Sequence, residues 1–151
     1  MKDIKNILKK QILTLDGAMG SLIQTHSLSE LDYRGEILSD HPQDLKGNHD
    51  ILSLTRPDII HNIHSLYLEA GADIIETNTF NANAISQSDY GLEQLVYQLN
   101  LESAKIAKDI TGVFTKENPE KPRYVAGILG PTNRTCSMSP KVSDPGFRNV
   151  S

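Results

Sequence analysis

Three short segments of this sequence combine glycine with side chains that bind ligands through charge and hydrogen bonds. The first is Asp16-Gly17, the second covers residues 76–80, and the third covers residues 127–133. None of the three contains a cysteine, histidine or lysine, which often serve as nucleophiles or general bases. Their composition therefore favours binding of a small polar molecule, and no catalytic residue is assigned in this chain.

Together these segments could bind a small zwitterion. The carboxylate of Asp16 would pair with an ammonium group. The backbone N–H groups that begin with Gly17, at the start of a helix, would hold a carboxylate. Thr77 adds a hydroxyl, and Phe80 adds an apolar wall for an aliphatic stem. The candidate binding residues are Asp16, Gly17, Glu76, Thr77, Asn78 and Phe80.

Each of these residues also has a purely structural interpretation. Asp16-Gly17 is typical of a turn that caps a helix, and Glu76 could belong to a buried polar network inside a barrel. Thr77 is of a type that strands favour in any case, and Gly130-Pro131 first of all predicts a chain reversal. The residues by themselves leave both interpretations open.

The potential metal ligands give weaker signals. His61 and His64 lie three residues apart on a predicted helix, but no third ligand lies nearby in the sequence. Both histidines are therefore predicted to face solvent. Cys136 is the only cysteine, which excludes an internal disulfide framework and a cysteine-based zinc site within this chain. No metal ligand is assigned in it.

The elements that must position the three segments alternate between strands and helices. Apolar residues that recur every three to four positions predict helices, and short β-branched runs predict strands. Thr55 and Pro57 indicate the start of one long helix, Gly71 its end, and Gly112 the end of a second. Helices are predicted at 3–10, 18–25, 57–70 and 92–110; strands at 12–15, 72–77 and 123–129; a long polar excursion at 26–49; and a loop at 115–122.

This alternation predicts an α/β fold with parallel strands joined by right-handed crossovers. A doubly wound sheet and a barrel both satisfy it, but no G-x-G-x-x-G or Walker-type lysine loop is present, so the barrel is favoured. A complete (β/α)8 TIM barrel needs ~250 residues. The 151 residues are therefore predicted to form one domain, 1–151, that holds an N-terminal helix and about three β/α units of an incomplete barrel.

Charge and hydropathy exclude several other classes of protein. The net charge is -4 and the basic residues are scattered, which argues against a nucleic-acid partner. No apolar run approaches the ~20 residues of a membrane span, and the N-terminus does not resemble a signal peptide. A cytoplasmic protein with no membrane partner is expected.

The three segments and their flanks closely resemble the N-terminal module of the cobalamin-dependent methionine synthases. The resemblance runs from about residue 5 to the last residue. The stretch from Gly130 to Thr135, Gly-Pro-Thr-Asn-Arg-Thr, separates this family from the betaine-dependent and S-methylmethionine-dependent homocysteine methyltransferases. The matching strings cover residues 15–20 (LDGAMG), 45–48 (LKGN), 69–80 (EAGADIIETNTF), 124–135 (YVAGILGPTNRT) and 144–149 (DPGFRN).

The resemblance implies a barrel that binds homocysteine and zinc. Asp16 would hold the substrate ammonium, the backbone of Gly17 would approach its carboxylate, and Thr77 and Phe80 would line the pocket. Three cysteines beyond these residues would bind the zinc, and the zinc-bound thiolate would accept a methyl group from methylcobalamin. Cobalamin and methyltetrahydrofolate would belong to other modules of the same polypeptide.

The chain alone is then expected to be inactive. An incomplete parallel sheet leaves strand edges uncovered, so the chain is also expected to self-associate. Three alternatives remain at this point. The first is a barrel of another homocysteine methyltransferase. The second is a pterin-binding barrel, whose members lack the Asp-Gly-Ala-Met-Gly opening found at residues 16–20, and the third is a non-catalytic α/β binding module.

Overall fold

The structure of the chain is a computed structural model that describes residues 3–132, 134, 139 and 141–147. Over this part the chain is mainly helical, with a short parallel sheet. The helices and strands are α1 Ile4–Leu8, α2 Met19–Thr25, α3 Glu30–Arg34, α4 Leu52–Thr55, α5 Pro57–Ala70, β1 Ile74–Glu76, α6 Ala84–Gln87, α7 Val96–Glu117 and β2 Tyr124–Ala126, with single 3-10 turns at His49–Ile51, Ser88–Tyr90 and Glu93–Leu95.

The predicted parallel arrangement of strands is confirmed, although the strands are shorter than predicted. β1 and β2 pair in parallel, with Ile75 opposite Val125. The predicted strand at 12–15 is reduced to one parallel bridge between Leu15 and Ile74. In this register residues 12 and 13 lie level with 71 and 72, where the chain is still leaving α5 and offers no strand to pair with.

The two long helices cover one face of the sheet. Leu68 of α5 and Ile110 of α7 bury Ile75 of β1 between them. A larger apolar cluster joins α5 to α2 and to the segment that precedes α4. Ile23 in α2 is 1% exposed, with Met19 and Leu22 packed against the same cluster, which confirms the predicted buried face of that helix.

α7 corrects one predicted boundary. Gly112 was expected to end the helix and residues 115–122 to form a loop, but α7 continues to Glu117. Phe114 packs against the core four residues after Ile110, so the apolar stripe extends past the glycine. The hydroxyl of Thr115 accepts a hydrogen bond from the backbone N–H of Arg123 at 2.8 Å and ties the last turn to β2. Packing therefore outweighs the cost of one glycine, ~1 kcal/mol.

α5 confirms two predicted end signals and contradicts two other expectations. Pro57 occupies the first turn, and Gly71 caps the C-terminus at φ 112°. Thr55 does not cap the helix, because Arg56 holds the N-cap position without a side-chain hydrogen bond. His64 does not face solvent as predicted: it is 0% exposed, because it follows Ile60 by four residues on the buried face. His61, in contrast, is exposed.

The polar excursion at 26–49 is more ordered than its sequence indicated. It contains α3 and packs Tyr33 and Leu45 into the larger cluster. The carboxylate of Glu30 accepts the N–H groups of Leu45 and Lys46 at 2.8 and 2.7 Å, which folds the segment back on itself. This fold delivers residues 47–50 to the carboxyl ends of the strands.

In the described part of the chain, no helix is both long and apolar enough to cross a membrane.

Candidate functional site

A cavity of about 600 Å³ lies at the carboxyl ends of β1 and β2. The structure brings all six predicted binding residues to its wall, together with Gly47, His49 and Asp50, which were not predicted. The lining includes Asp16, Gly17, Met19, Gly47, His49, Asp50, Glu76, Thr77, Asn78, Thr79, Phe80, Asn81, Ile128, Leu129 and Gly130.

Asp16 is fixed by the sheet rather than by the helix that follows it. Its N–H donates to the carbonyl of Ile74 at 3.0 Å, and its Oδ1 accepts the N–H of Glu76 at 3.0 Å. The N-cap of α2 is Ala18, in a left-handed conformation at φ 46°, so the helix-capping interpretation of Asp16 is wrong. Burial raises the pKa of the Asp16 carboxyl to about 6; the Glu76 N–H opposes this rise, and the nearby Glu76 charge adds to it.

The cavity has a strongly anionic lining. Asp16, Asp50 and Glu76 all contribute to it, and no lysine or arginine is among the described lining residues. Three acidic groups in a partly desolvated cleft give a negative potential that favours a cationic ligand. The raised pKa of the Asp16 carboxyl follows from the same arrangement, because nothing cationic offsets its burial.

The hydroxyl of Thr77 joins the end of β1 to the segment that follows β2. The N–H of Ile128 donates to the Thr77 hydroxyl at 3.0 Å, and the hydroxyls of Thr77 and Thr79 lie 2.7 Å apart. Thr79 gives its only hydroxyl proton to the carbonyl of Ile128 at 2.9 Å, so Thr77 must be the donor between the two hydroxyls. Thr77 can therefore offer a ligand only a lone pair.

Asn78 has a similar bridging role. Its side-chain amide donates to the carbonyl of His49 at 2.9 Å and to the hydroxyl of Ser53 at 3.2 Å. Its backbone carbonyl accepts the hydroxyl of Ser103 on α7 at 3.1 Å. Asn78 thus joins the end of β1 to two helical segments, and its amide protons are used within the protein.

Gly17 and Phe80 shape the opening of the cavity. Apart from its chain neighbours, no described atom lies within 4 Å of the position that a Cβ at Gly17 would take, so this side of Gly17 has space for a ligand. Phe80 is 55% exposed and provides the apolar wall. A side chain at Gly130 would overlap the Phe80 carbonyl, so only glycine allows these two backbone segments to approach so closely.

Asp50 and His49 are site residues that the sequence analysis missed. Asp50 is 2% exposed, and its Oδ1 accepts the N–H of Asn81 at 2.9 Å. Burial raises its pKa to about 6, although the hydrogen bond from Asn81 opposes this, and burial lowers the pKa of His49. The available signal was a polar run, 48–50, placed directly before the buried Ile51-Leu52.

The described residues do not provide a zinc site. Within them, no group of three histidine, cysteine, aspartate or glutamate side chains is arranged to hold a metal ion. Cys136 lies outside the described residues. The chemistry derived below therefore concerns substrate binding, and no step is assigned to a metal within this part of the chain.

The fold and the cavity indicate a class of protein. Parallel strands, helices that cover one face of the sheet, and a polar cavity at the carboxyl ends of the strands are features of α/β folds of the barrel type. A sequence profile of the homocysteine S-methyltransferase family matches residues 13–151. The chain belongs to the homocysteine S-methyltransferase family.

Solved structures show the same fold. The homocysteine methyltransferase MmuM of Escherichia coli in its metallated form aligns with a TM-score of 0.64 at 24% identity, over 85% of this chain and 41% of MmuM. Its oxidized form gives 0.65 at 25% identity, over 85% and 40%. The apo form gives 0.59 at 24% identity, over 89% and 42%. The chain thus spans about two-fifths of the length of these structures.

Proposed function

We propose that the cavity binds homocysteine through its amino group, with Asp16 as the counter-ion. The observation that carries this proposal is the Asp16 carboxyl, which lies in a cavity lined by two further acids, with no lysine or arginine among the described lining residues. A ligand ammonium would supply the missing positive charge and favour the ionised carboxylate, whose pKa is raised without it.

The remaining wall suits the rest of the molecule. Phe80 offers apolar surface to the two methylene groups of the homocysteine stem. The ligand carboxylate would turn away from the acids and toward the open backbone of Gly17. Thr77 would keep the strand ends at a fixed spacing and contact the ligand only as an acceptor.

In the complete polypeptide, this recognition would serve the transfer of a methyl group to the homocysteine sulfur. Family membership supports a methyltransferase activity. We assign it to the cobalamin-dependent methionine synthases because residues 130–135 read Gly-Pro-Thr-Asn-Arg-Thr, as in that family. Zinc, cobalamin and methyltetrahydrofolate would then be bound by residues beyond this chain, in a cytoplasmic enzyme.

The test is the substitution Asp16→Asn in the complete methyltransferase, followed by homocysteine titration calorimetry. Loss of a charge-assisted contact worth ~1.5–3 kcal/mol should raise the Kd roughly 10- to 100-fold while the zinc content stays unchanged. Asp109→Asn, on the exposed side of α7, is the matched control and should leave the Kd unaltered. An unchanged Kd for Asp16→Asn would remove Asp16 from the pocket and contradict the proposal.

A further inference from the structure

One peptide group in the cavity wall is restrained on both sides. The carbonyl of Phe80 lies so close to Gly130 that a Cβ there could not be accommodated. The N–H of the same peptide, which belongs to Asn81, donates to Oδ1 of Asp50 at 2.9 Å. The plane of this peptide sets the direction in which the Phe80 side chain leaves the backbone.

The next carbonyl along the chain is also held by a buried side chain. Gln87 donates from Nε2 to the carbonyl of Asn81 at 3.1 Å. The Gln87 and Asn48 side chains pair through reciprocal amide contacts of 2.8 and 3.2 Å. Both are buried, at 0% and 2% exposure. Asn48 and Asp50, two residues apart, therefore secure the two sides of Asn81, one directly and one through Gln87.

Burying a carboxylate at position 50 lowers the stability of the fold, so a role in filling space alone does not explain it. Asp50 is almost fully buried, and burying an ionisable group disfavours its charged form. A carboxylate, however, accepts an N–H more strongly than a neutral oxygen does, by roughly a factor of two. Burying the Asp50 carboxylate therefore lowers the stability of the fold, but it holds the Phe80–Asn81 peptide firmly at the edge of the ligand cavity.

We propose that Asp50 is a positioning residue that fixes the Phe80–Asn81 peptide, so that Phe80 stands against the aliphatic stem of the substrate. The role in selecting the stem rests on the proposed binding of homocysteine. Asp50 acts through Phe80, which is exposed enough to meet a ligand and whose backbone carbonyl belongs to the peptide that Asp50 holds.

The test compares Asp50→Ala with Asp50→Asn in the complete methyltransferase, because asparagine keeps an acceptor for the Asn81 N–H. Thr111→Val is the matched control: Thr111 is buried and bonds only within α7, away from the cavity. Two readouts are needed. One is the amide hydrogen-exchange rate at Asn81, and the other is the ratio of Kd values for cysteine and homocysteine, which differ by one methylene group.

Asp50→Ala should raise the exchange rate at Asn81 at least tenfold. It should also reduce the preference for homocysteine over cysteine by about fourfold, which is the contribution of one buried methylene group to the Kd. Asp50→Asn should restore most of both, and Thr111→Val should change neither. A general loss of stability would weaken both ligands equally and leave the ratio unaltered. If Asp50→Ala fails to fold, Gly130→Ala, which displaces the same peptide from the other side, should reduce the ratio in its place.

Two results would overturn the inference. An unchanged exchange rate at Asn81 in Asp50→Ala would show that Asp50 does not hold the peptide. Faster exchange with an unchanged Kd ratio would show that the peptide does not position Phe80 for the stem. If the wild-type enzyme does not bind homocysteine at all, the proposed function fails separately, and exchange at Asn81 alone decides whether Asp50 holds the peptide.

Discussion

His64 provides a sharp test of the packing in this fold. Its side chain is 0% exposed on α5, and neither ring nitrogen has a hydrogen-bond partner among the described residues. A buried polar group left without partners costs ~1–3 kcal/mol. Replacing His64 with leucine, which fits the apolar stripe of Ile60 and Leu68, should therefore raise the free energy of unfolding by ~1–3 kcal/mol at neutral pH.

The effect should grow as the pH falls. Burial, together with the nearby charge of His61, lowers the pKa of His64 to about 4. The unfolded chain, with a histidine pKa of ~6.5, therefore takes up a proton before the folded chain does. The wild type thus loses stability as the pH falls from about 6.5 through 4. A difference of ~2.5 pKa units corresponds to ~3 kcal/mol, a loss that His64→Leu would not suffer.

Urea unfolding at about pH 7 and about pH 4.5 measures both effects. The raised pKa values of Asp16 and Asp50 contribute in the opposite direction, but both groups are present in wild type and variant, so their contributions cancel in the difference. His26→Leu, at an exposed position outside α5, is the control and should change stability little at either pH. A His64→Leu variant that is less stable at neutral pH, or a difference that does not grow on acidification, would refute this reasoning.

Three further predictions concern the cavity wall. Gly130→Ala should lower the thermal midpoint, at a cost of ~1–3 kcal/mol, because the new methyl group meets the Phe80 carbonyl; an unchanged midpoint would contradict the close approach. Asn48→Leu should cost ~1–3 kcal/mol in urea unfolding because the buried Gln87 side-chain oxygen loses its donor, and adding Gln87→Leu should recover part of that loss. Asp50→Asn should stabilise the protein above about pH 6 by up to ~3 kcal/mol and have little effect near pH 4, because the raised folded pKa makes ionisation unfavourable; equal effects at both pH values would argue against a buried carboxyl.

The sequence predicted where the site would form because parallel strands end at a common edge. Asp16, Glu76 and Gly130 lie at the carboxyl ends of three predicted strands, and the structure brings them to one cavity even though the first strand is reduced to a single bridge. Their position depends on strand order and direction, which alternation of elements is enough to indicate. Their roles in binding homocysteine stay predictions.

Other features depend on tertiary contacts that no local pattern contains. Asp50 reaches the cavity because Glu30 folds the 26–49 segment back through backbone contacts at Leu45. α7 continues beyond Gly112 because Phe114 packs against the core. His64 is buried because it shares a face of α5 with buried apolar residues, although histidine usually lies at the surface or in a hydrogen-bonded site. In each case a contact between residues distant in the sequence, or the packing of a whole helix face, decided the outcome.

The most direct test of homocysteine recognition is the pKa of the Asp16 carboxyl, measured by NMR in the complete methyltransferase with and without ligand. In the free protein it should lie near 6. Saturation with homocysteine should lower it by at least one unit, because the ligand ammonium stabilises the carboxylate. 4-Mercaptobutyrate, which lacks the amino group, should not lower it. If bound homocysteine leaves this pKa unchanged, or if both ligands shift it equally, Asp16 is not the counter-ion of the substrate ammonium.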